Sequence, residues 1–144
     1  MQLRPLNQDG QLEESEAGTI ASLSENLFIE YALAGYSLSP EEVQMALIAD
    51  FKLYAGWKST YSQNRGLTTT LDRLQVLSAM EWAIIEPVIR AHCELIQANR
   101  VEATGSLGSE RFGLTASEAN QVYIDAKREM EPKTFFEEPI FISF

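Results

Sequence analysis

The segment that most constrains the fold runs from Ser78 to Thr104, because its apolar residues recur at helical spacing and no strong stop signal interrupts them. Ser78 fits an N-cap, and Glu81 three residues later completes a capping box. Pro87 disturbs the pattern, because proline lacks the backbone N–H and clashes with the preceding turn. The sequence therefore predicts a long helix kinked at Pro87, or a short helix over 79–85 followed by a second helix that begins near Pro87.

A second helix is predicted from Thr19 onwards, with Gly35 as its stop. Its apolar residues fall three or four positions apart: Ile20, Leu23, Leu27, Tyr31 and Ala34. A strand over 27–33 is the alternative, because apolar residues also alternate there: Leu27, Ile29, Tyr31 and Leu33. We expect the helix.

A third helix has a clearer start at Ser39, which fits an N-cap and is followed by Pro40 at the first helical position. The apolar stripe that follows consists of Val43, Leu47, Phe51 and Tyr54. Gly56 is the expected end of this helix. Residues 58–70 are rich in hydroxyl and amide side chains and are predicted to form a loop, while residues 71–77 fit a helical turn or a short strand.

A last helix is predicted to open with a capping box at Thr115 and Glu118 and to close at Pro132. Its expected buried face is Ala119, Val122, Tyr123, Ala126 and Met130. The preceding residues 105–113 contain three glycines, with Gly105 as a helix stop. Their spacing matches neither phosphate-binding fingerprint, so a connector is the expectation. The prediction is a mainly α fold, in which residues 19–132 form a three- or four-helix bundle with a long central helix. A mobile polar N-terminal arm is expected over 1–18, and an extended apolar C-terminal tail over 133–144.

Charge and length limit the class of protein. The 144 residues suit one domain, and the net charge is −10. Residues 1–42 hold eight carboxylates against one arginine, a net of −7. Such a surface repels a phosphate backbone, which disfavours sequence-specific DNA binding. The apolar clusters are too short to cross a bilayer, the N-terminus does not resemble a secretory signal, and a single cysteine fits a reducing compartment.

Few residues in the sequence suggest catalysis. His92 is the only histidine, which excludes metal sites built from several imidazoles, and it is expected at the edge of the core. Cys93 is expected to be a small buried side chain rather than a nucleophile. Four glutamates, Glu81, Glu86, Glu94 and Glu102, are spaced like a solvated helix surface. No catalytic residue, metal ligand or cofactor is predicted.

The C-terminal segment is unusual because chain ends are normally polar. Six of its residues are large and apolar: Phe135, Phe136, Ile140, Phe141, Ile142 and Phe144. Burying one phenylalanine is worth about 1.5–3 kcal/mol, so leaving this group in water is unfavourable. The segment can pack on its own subunit as a final strand, or dock on a neighbouring chain by strand addition.

Residues 78–142 resemble small proteins encoded among the head genes of tailed bacteriophages. The shared features are a Ser-x-x-Glu-Trp helix start, an internal proline, a helix end at Val-Glu-Ala, a Leu-Gly…Phe-Gly loop, a capped helix and a terminal extended segment. Proteins of this kind are head–tail connector subunits, also called adaptor or head-completion proteins. They form rings beneath the portal and are built as helical bundles with extended arms.

The resemblance implies a non-enzymatic virion protein of the phage neck, assembled in the host cytoplasm. Its implied partners are copies of itself in a twelvefold ring that matches the portal, the portal protein, and other neck or tail proteins. DNA would pass only as non-specific cargo, and no membrane is involved. The six apolar residues of the C-terminal segment would make the protein contacts. An alternative function is a small acidic binding or regulatory module, and a weaker one is a hydrolase with paired carboxylates.

Overall fold

The computed structural model describes residues 15–67, 70–104 and 114–135. Helices account for 72% of these residues, and a two-stranded sheet completes the fold. The chain is therefore mainly α, as predicted. In order, the elements are β1 (Glu16–Thr19), α1 (Ile20–Leu33), α2 (Pro40–Ala55), α3 (Tyr61–Asn64), β2 (Val76–Ser78), α4 (Ala79–Ala103) and α5 (Ala116–Phe135).

Helix α4 begins as predicted, with Ser78 and Glu81 forming both hydrogen bonds of a capping box. Of the two alternatives at Pro87, the one with two separate helices is wrong, because α4 continues through the proline as one helix of 25 residues. Pro87 is exposed, whereas Ile85 and Val88 on either side of it are buried. The apolar packing of these neighbours compensates for the backbone hydrogen bond that Pro87 cannot donate. Gly105, the predicted stop, lies outside the described residues.

Helices α1 and α2 confirm the helical alternative for residues 20–33 and the Ser39 start. Each begins with a capping box, formed by Thr19 and Ser22 in α1 and by Ser39 and Glu42 in α2. Gly35 adopts a φ of +92° directly after α1, a conformation that favours glycine. The two helices pack on each other, and α2 also packs on α4.

Strands β1 and β2 pair antiparallel, with Gly18 opposite Leu77 and a bulge between Glu16 and Gly18. Residues 16–18 therefore belong to a strand, although the sequence predicts them as the end of a mobile arm. Residues 1–14 of that arm lie outside the described residues. The strand alternative for 71–77 holds only at its end, since β2 starts at Val76.

A short helix, α3, lies within the segment that the sequence predicts as a loop. Its start has a capping box, in which Thr60 Oγ1 accepts from the Gln63 backbone N–H and Gln63 Oε1 accepts from the Thr60 N–H. The Thr-x-x-Gln pattern was the available signal. Ser62 Oγ donates to the Val76 carbonyl at 2.9 Å, which fixes α3 against β2.

Helix α5 starts at the predicted capping box of Thr115 and Glu118. The predicted stop at Pro132 is wrong, because the helix continues to Phe135 and the Thr134 side chain is buried. Residues 133–135 are thus helical rather than the start of an extended tail. Val122, predicted to be buried, is 45% exposed.

The core is formed mainly by α1, α2 and α4, with Leu77 from β2 and Met130 from α5. Among the described residues it is formed by Ile20, Leu23, Leu27, Tyr31, Leu38, Val43, Ala46, Leu47, Phe51, Tyr54, Leu77, Ile85, Val88, Ile89, Cys93 and Met130. Within the described part of the chain, no helix is long and apolar enough to span a bilayer.

Candidate functional site

Phe135 is the one member of the predicted protein-contact group that the structure describes. It is the last residue of α5, its side chain is 56% exposed, and its ring lies near the indole of Trp57, with centroids 6.4 Å apart. Phe136, Ile140, Phe141, Ile142 and Phe144 lie outside the described residues. Their arrangement, on their own subunit or on another chain, therefore stays a prediction.

Trp57 and Phe135 form an aromatic corner where the end of α2 meets the end of α5. Trp57 follows the helix cap at Gly56 and donates its backbone N–H to the Tyr54 carbonyl, which turns the chain back and packs the indole against the core. Thr134 is buried and donates its hydroxyl to the Met130 carbonyl at 2.8 Å. The Thr134 hydrogen bond supports the last turn of α5, and the Phe135 ring remains at the surface.

A second apolar surface lies on α1, where Ile29 is 48% and Leu33 is 84% exposed. Residues four positions apart are neighbours on a helix surface, so these two form a ridge on the outside of α1. In the sequence, the apolar residues of this ridge contribute to the alternating pattern that also fits a strand. The alternation that fits a strand over 27–33 arises because α1 has apolar residues both on its buried face and on this α1 ridge.

Three polar side chains from three helices meet in what we call the Asp50 cluster: Asp50 of α2, His92 of α4 and Tyr123 of α5. Asp50 is only 1% exposed. The Tyr123 hydroxyl donates to Asp50 Oδ1 at 2.6 Å, and His92 Nδ1 lies 3.1 Å from both carboxylate oxygens. The imidazole and phenol rings stack at 4.5 Å. The cluster therefore links α2, α4 and α5.

The Asp50 cluster brings together an acid and a histidine, but its hydroxyl bonds to the acid and not to the imidazole. A Ser-His-Asp arrangement requires the hydroxyl on the histidine, where it can lose its proton. Burial, and then the hydrogen bond to Asp50, raises the pKa of Tyr123, so the phenol stays protonated at neutral pH. This geometry provides partly buried hydrogen bonds that join α2 to α4 and to α5.

Cys93 follows His92 in the chain but belongs to the core, with no exposed surface. Burial, followed by the charges of Asp50 and Glu94, raises the pKa of its thiol to about 12. A thiol in this state is a poor nucleophile at neutral pH. The structure thus agrees with the interpretation of Cys93 as a small core residue.

The glutamates predicted as a solvated surface have different environments. Glu81 is buried, and its carboxylate accepts from the backbone N–H groups of Ser78 and Tyr61. Glu94 is half-buried and accepts from the Tyr36 hydroxyl at 2.8 and 2.9 Å, while Glu102 is exposed and accepts from the Ala116 N–H. The expectation is wrong for Glu81, because its partners come from α3 and from the capping box.

A shallow groove of about 210 Å³ lies between β1, α1 and α4. Leu23, Leu27 and Trp82 line its apolar part. At its other end Arg90 pairs with Glu30 and Glu86, and the hydrogen bond to Arg90 holds the pKa of Glu30 below its ordinary value. The charged groups of the groove thus satisfy one another. Within residues 15–67, 70–104 and 114–135, no group of three or more His, Cys, Asp or Glu side chains is arranged to hold a metal ion.

In comparisons with known proteins, no family model, no curated protein and no solved structure matches the chain.

Proposed function

We propose that the chain is a structural assembly subunit that binds other polypeptides through its C-terminal apolar segment, and that it serves in a bacteriophage head–tail connector ring. The observation that carries the proposal is Phe135. It stands more than half exposed beside Trp57, at the point where the chain continues into five further large apolar residues. Exposed aromatic groups of this kind are typical of protein-binding surfaces.

Two separate apolar surfaces support a subunit with more than one neighbour. The aromatic corner lies at the ends of α2 and α5, whereas the α1 ridge lies on a different helix. A ring with cyclic symmetry needs two different surfaces on each subunit, because each contact joins unlike faces. In this proposal α4 is the central helix of the bundle, and the chain termini act as arms that reach the portal or the next neck protein.

The charge of the chain supports the same role. A net charge of −10 disfavours adhesion of DNA to the protein, as suits a channel through which DNA passes. The proposal requires no catalytic residue and no cofactor. The Asp50 cluster serves in it as a structural tie between helices.

Removal of the C-terminal segment tests the proposal. Because Thr134 and Phe135 are part of α5, the truncation should remove 136–144 only and be combined with Phe135→Ser. We expect a variant with the helical circular dichroism spectrum of the intact chain that stays monomeric in sedimentation velocity at concentrations where the intact chain assembles. Leu74→Ala, at an exposed apolar position in another part of the fold, is the matched control and should assemble normally.

Rings formed by the truncated variant would refute the proposed contact. An intact chain that sediments as a monomer at every concentration and does not bind a portal ring would refute the connector role. That second result would favour the alternative of a small acidic binding module.

A further inference from the structure

Helix α5 packs along α4, but few of its side chains are fully buried. Of its 20 residues only Ala119, Met130 and Thr134 are buried. Met130 belongs to the core cluster, and Tyr123 and Ala126 pack against it while partly exposed. Helix α2, with 16 residues, supplies five members of that cluster. The hydrophobic contribution that holds α5 in place is therefore smaller than that of α2.

The Asp50 cluster adds a polar attachment near the middle of α5. Tyr123 is the α5 member, and its hydroxyl donates to a carboxylate that is itself nearly inaccessible to water. Lys127, one turn further on, places its ammonium 4.3 Å from the centroid of the same ring. A hydrogen bond to a charged, buried acceptor is among the stronger polar contacts in a protein.

Polar and apolar attachments differ in what happens when they open. Water can replace the hydrogen bonds of Asp50 and Tyr123 once α5 moves away, whereas it cannot replace the contacts of an apolar core. A helix held in large part by such a tie can separate while the core formed by α1, α2 and α4 remains folded.

We propose that α5 is a detachable arm that separates from α1, α2 and α4 as a unit, and that the Asp50 cluster controls how often it does so. Phe135, the last residue of α5, moves with this arm. The inference concerns the isolated chain and does not depend on the proposed connector role, although an arm of this kind would let the C-terminal segment reach a neighbour.

Amide hydrogen exchange followed by mass spectrometry tests the proposal on the intact chain. In the wild-type protein, amides of α5 should exchange faster than those in the middle of α2 and α4. Tyr123→Phe keeps the ring and removes only the hydroxyl, and we expect it to speed exchange in α5 about tenfold while α2 and α4 keep their rates.

Tyr36→Phe is the matched control. Tyr36, like Tyr123, donates its hydroxyl to a carboxylate, in this case that of Glu94 on α4, but Tyr36 does not lie on α5. This variant should leave the α5 rates unchanged. The proposal is refuted if α5 and α4 exchange together in the wild-type protein, if Tyr123→Phe speeds both equally, or if Tyr36→Phe speeds α5 as much as Tyr123→Phe does. Because exchange is measured without a partner, these results are independent of whether the chain forms rings.

Discussion

Helices α2 and α5 both start at a capping box and both pack on α4, but they are held in the fold in different ways. Six of the 16 residues of α2 are buried, against three of the 20 residues of α5. Helix α2 is part of the core, whereas α5 is attached at its edge. A capping box thus defines where a helix begins, but the number of buried side chains decides how firmly the helix is held.

The largest expected effect comes from emptying the core beneath α2. Phe51 has no exposed surface, so Phe51→Ala should lower the free energy of unfolding by about 3–5 kcal/mol. Met130→Ala on α5 should cost less, about 2 kcal/mol, because the end of α5 can move to fill the space. Urea denaturation followed by circular dichroism measures both, with Leu53→Ala, at a partly exposed position of α2, as control. Equal losses for Phe51→Ala and Met130→Ala would mean that α5 is as much a part of the core as α2.

Removing the caps should produce an intermediate effect that differs between the two helices. Ser39→Ala and Thr115→Ala each remove the side-chain oxygen that accepts the N3 backbone N–H, a contact worth about 1 kcal/mol. In α2 this loss should lower the stability of the whole domain. In α5 it should appear as faster amide exchange in the first turns of the helix, with a smaller change in the urea midpoint. Equal shifts of the midpoint would show that the two helices unfold together.

The smallest expected effect concerns the ion pair between Glu42 of α2 and Arg100 of α4. The Arg100 guanidinium donates a hydrogen bond to the Glu42 carboxylate, and chiefly through this bond it lowers the pKa of Glu42. The pair therefore stabilises the fold at pH values above the ordinary glutamate pKa of about 4.3. The stabilisation is lost as the pH falls through the lowered pKa. Both side chains are about one-third exposed, which limits the contribution to under about 1 kcal/mol.

Glu42→Gln isolates this charge, because glutamine can still complete the capping box with Ser39. We expect urea denaturation at neutral pH to show a slightly less stable variant, and the difference from wild type to vanish in acid. A difference that persists after Glu42 is protonated would show that the capping hydrogen bond, rather than the charge, was lost.

Helix starts could be predicted from the sequence because a capping box involves residues only three positions apart. Ser39, Ser78 and Thr115 all cap as expected. The two-helix alternative at Pro87 and the stop at Pro132 were wrong because they depend on packing that is not local. The cost of Pro87 or Pro132 inside a helix is local, but what offsets it is packing by neighbours such as Ile85 and Val88, or Met130 and Thr134, on surfaces that other elements supply.

The candidate site also has features that the sequence predicts and others that only the fold produces. The aromatic nature of the C-terminal segment is plain in the sequence, but the pairing of Phe135 with Trp57 joins residues from two helices and requires the fold. Glu81 was misassigned to the surface because its second donor, the backbone N–H of Tyr61, belongs to a short helix that was predicted as loop.

By itself, the sequence determined that this chain is mainly helical and where its capped helices begin, because those features depend on hydrogen bonds and spacings within one or two turns. The tertiary structure alone decided which helices form the core and which one is attached at its edge. The Asp50 cluster shows the reason. His92 and Tyr123 lie 42 and 73 residues from Asp50 along the chain, and only the packing of α2, α4 and α5 brings them within hydrogen-bond distance of its carboxylate.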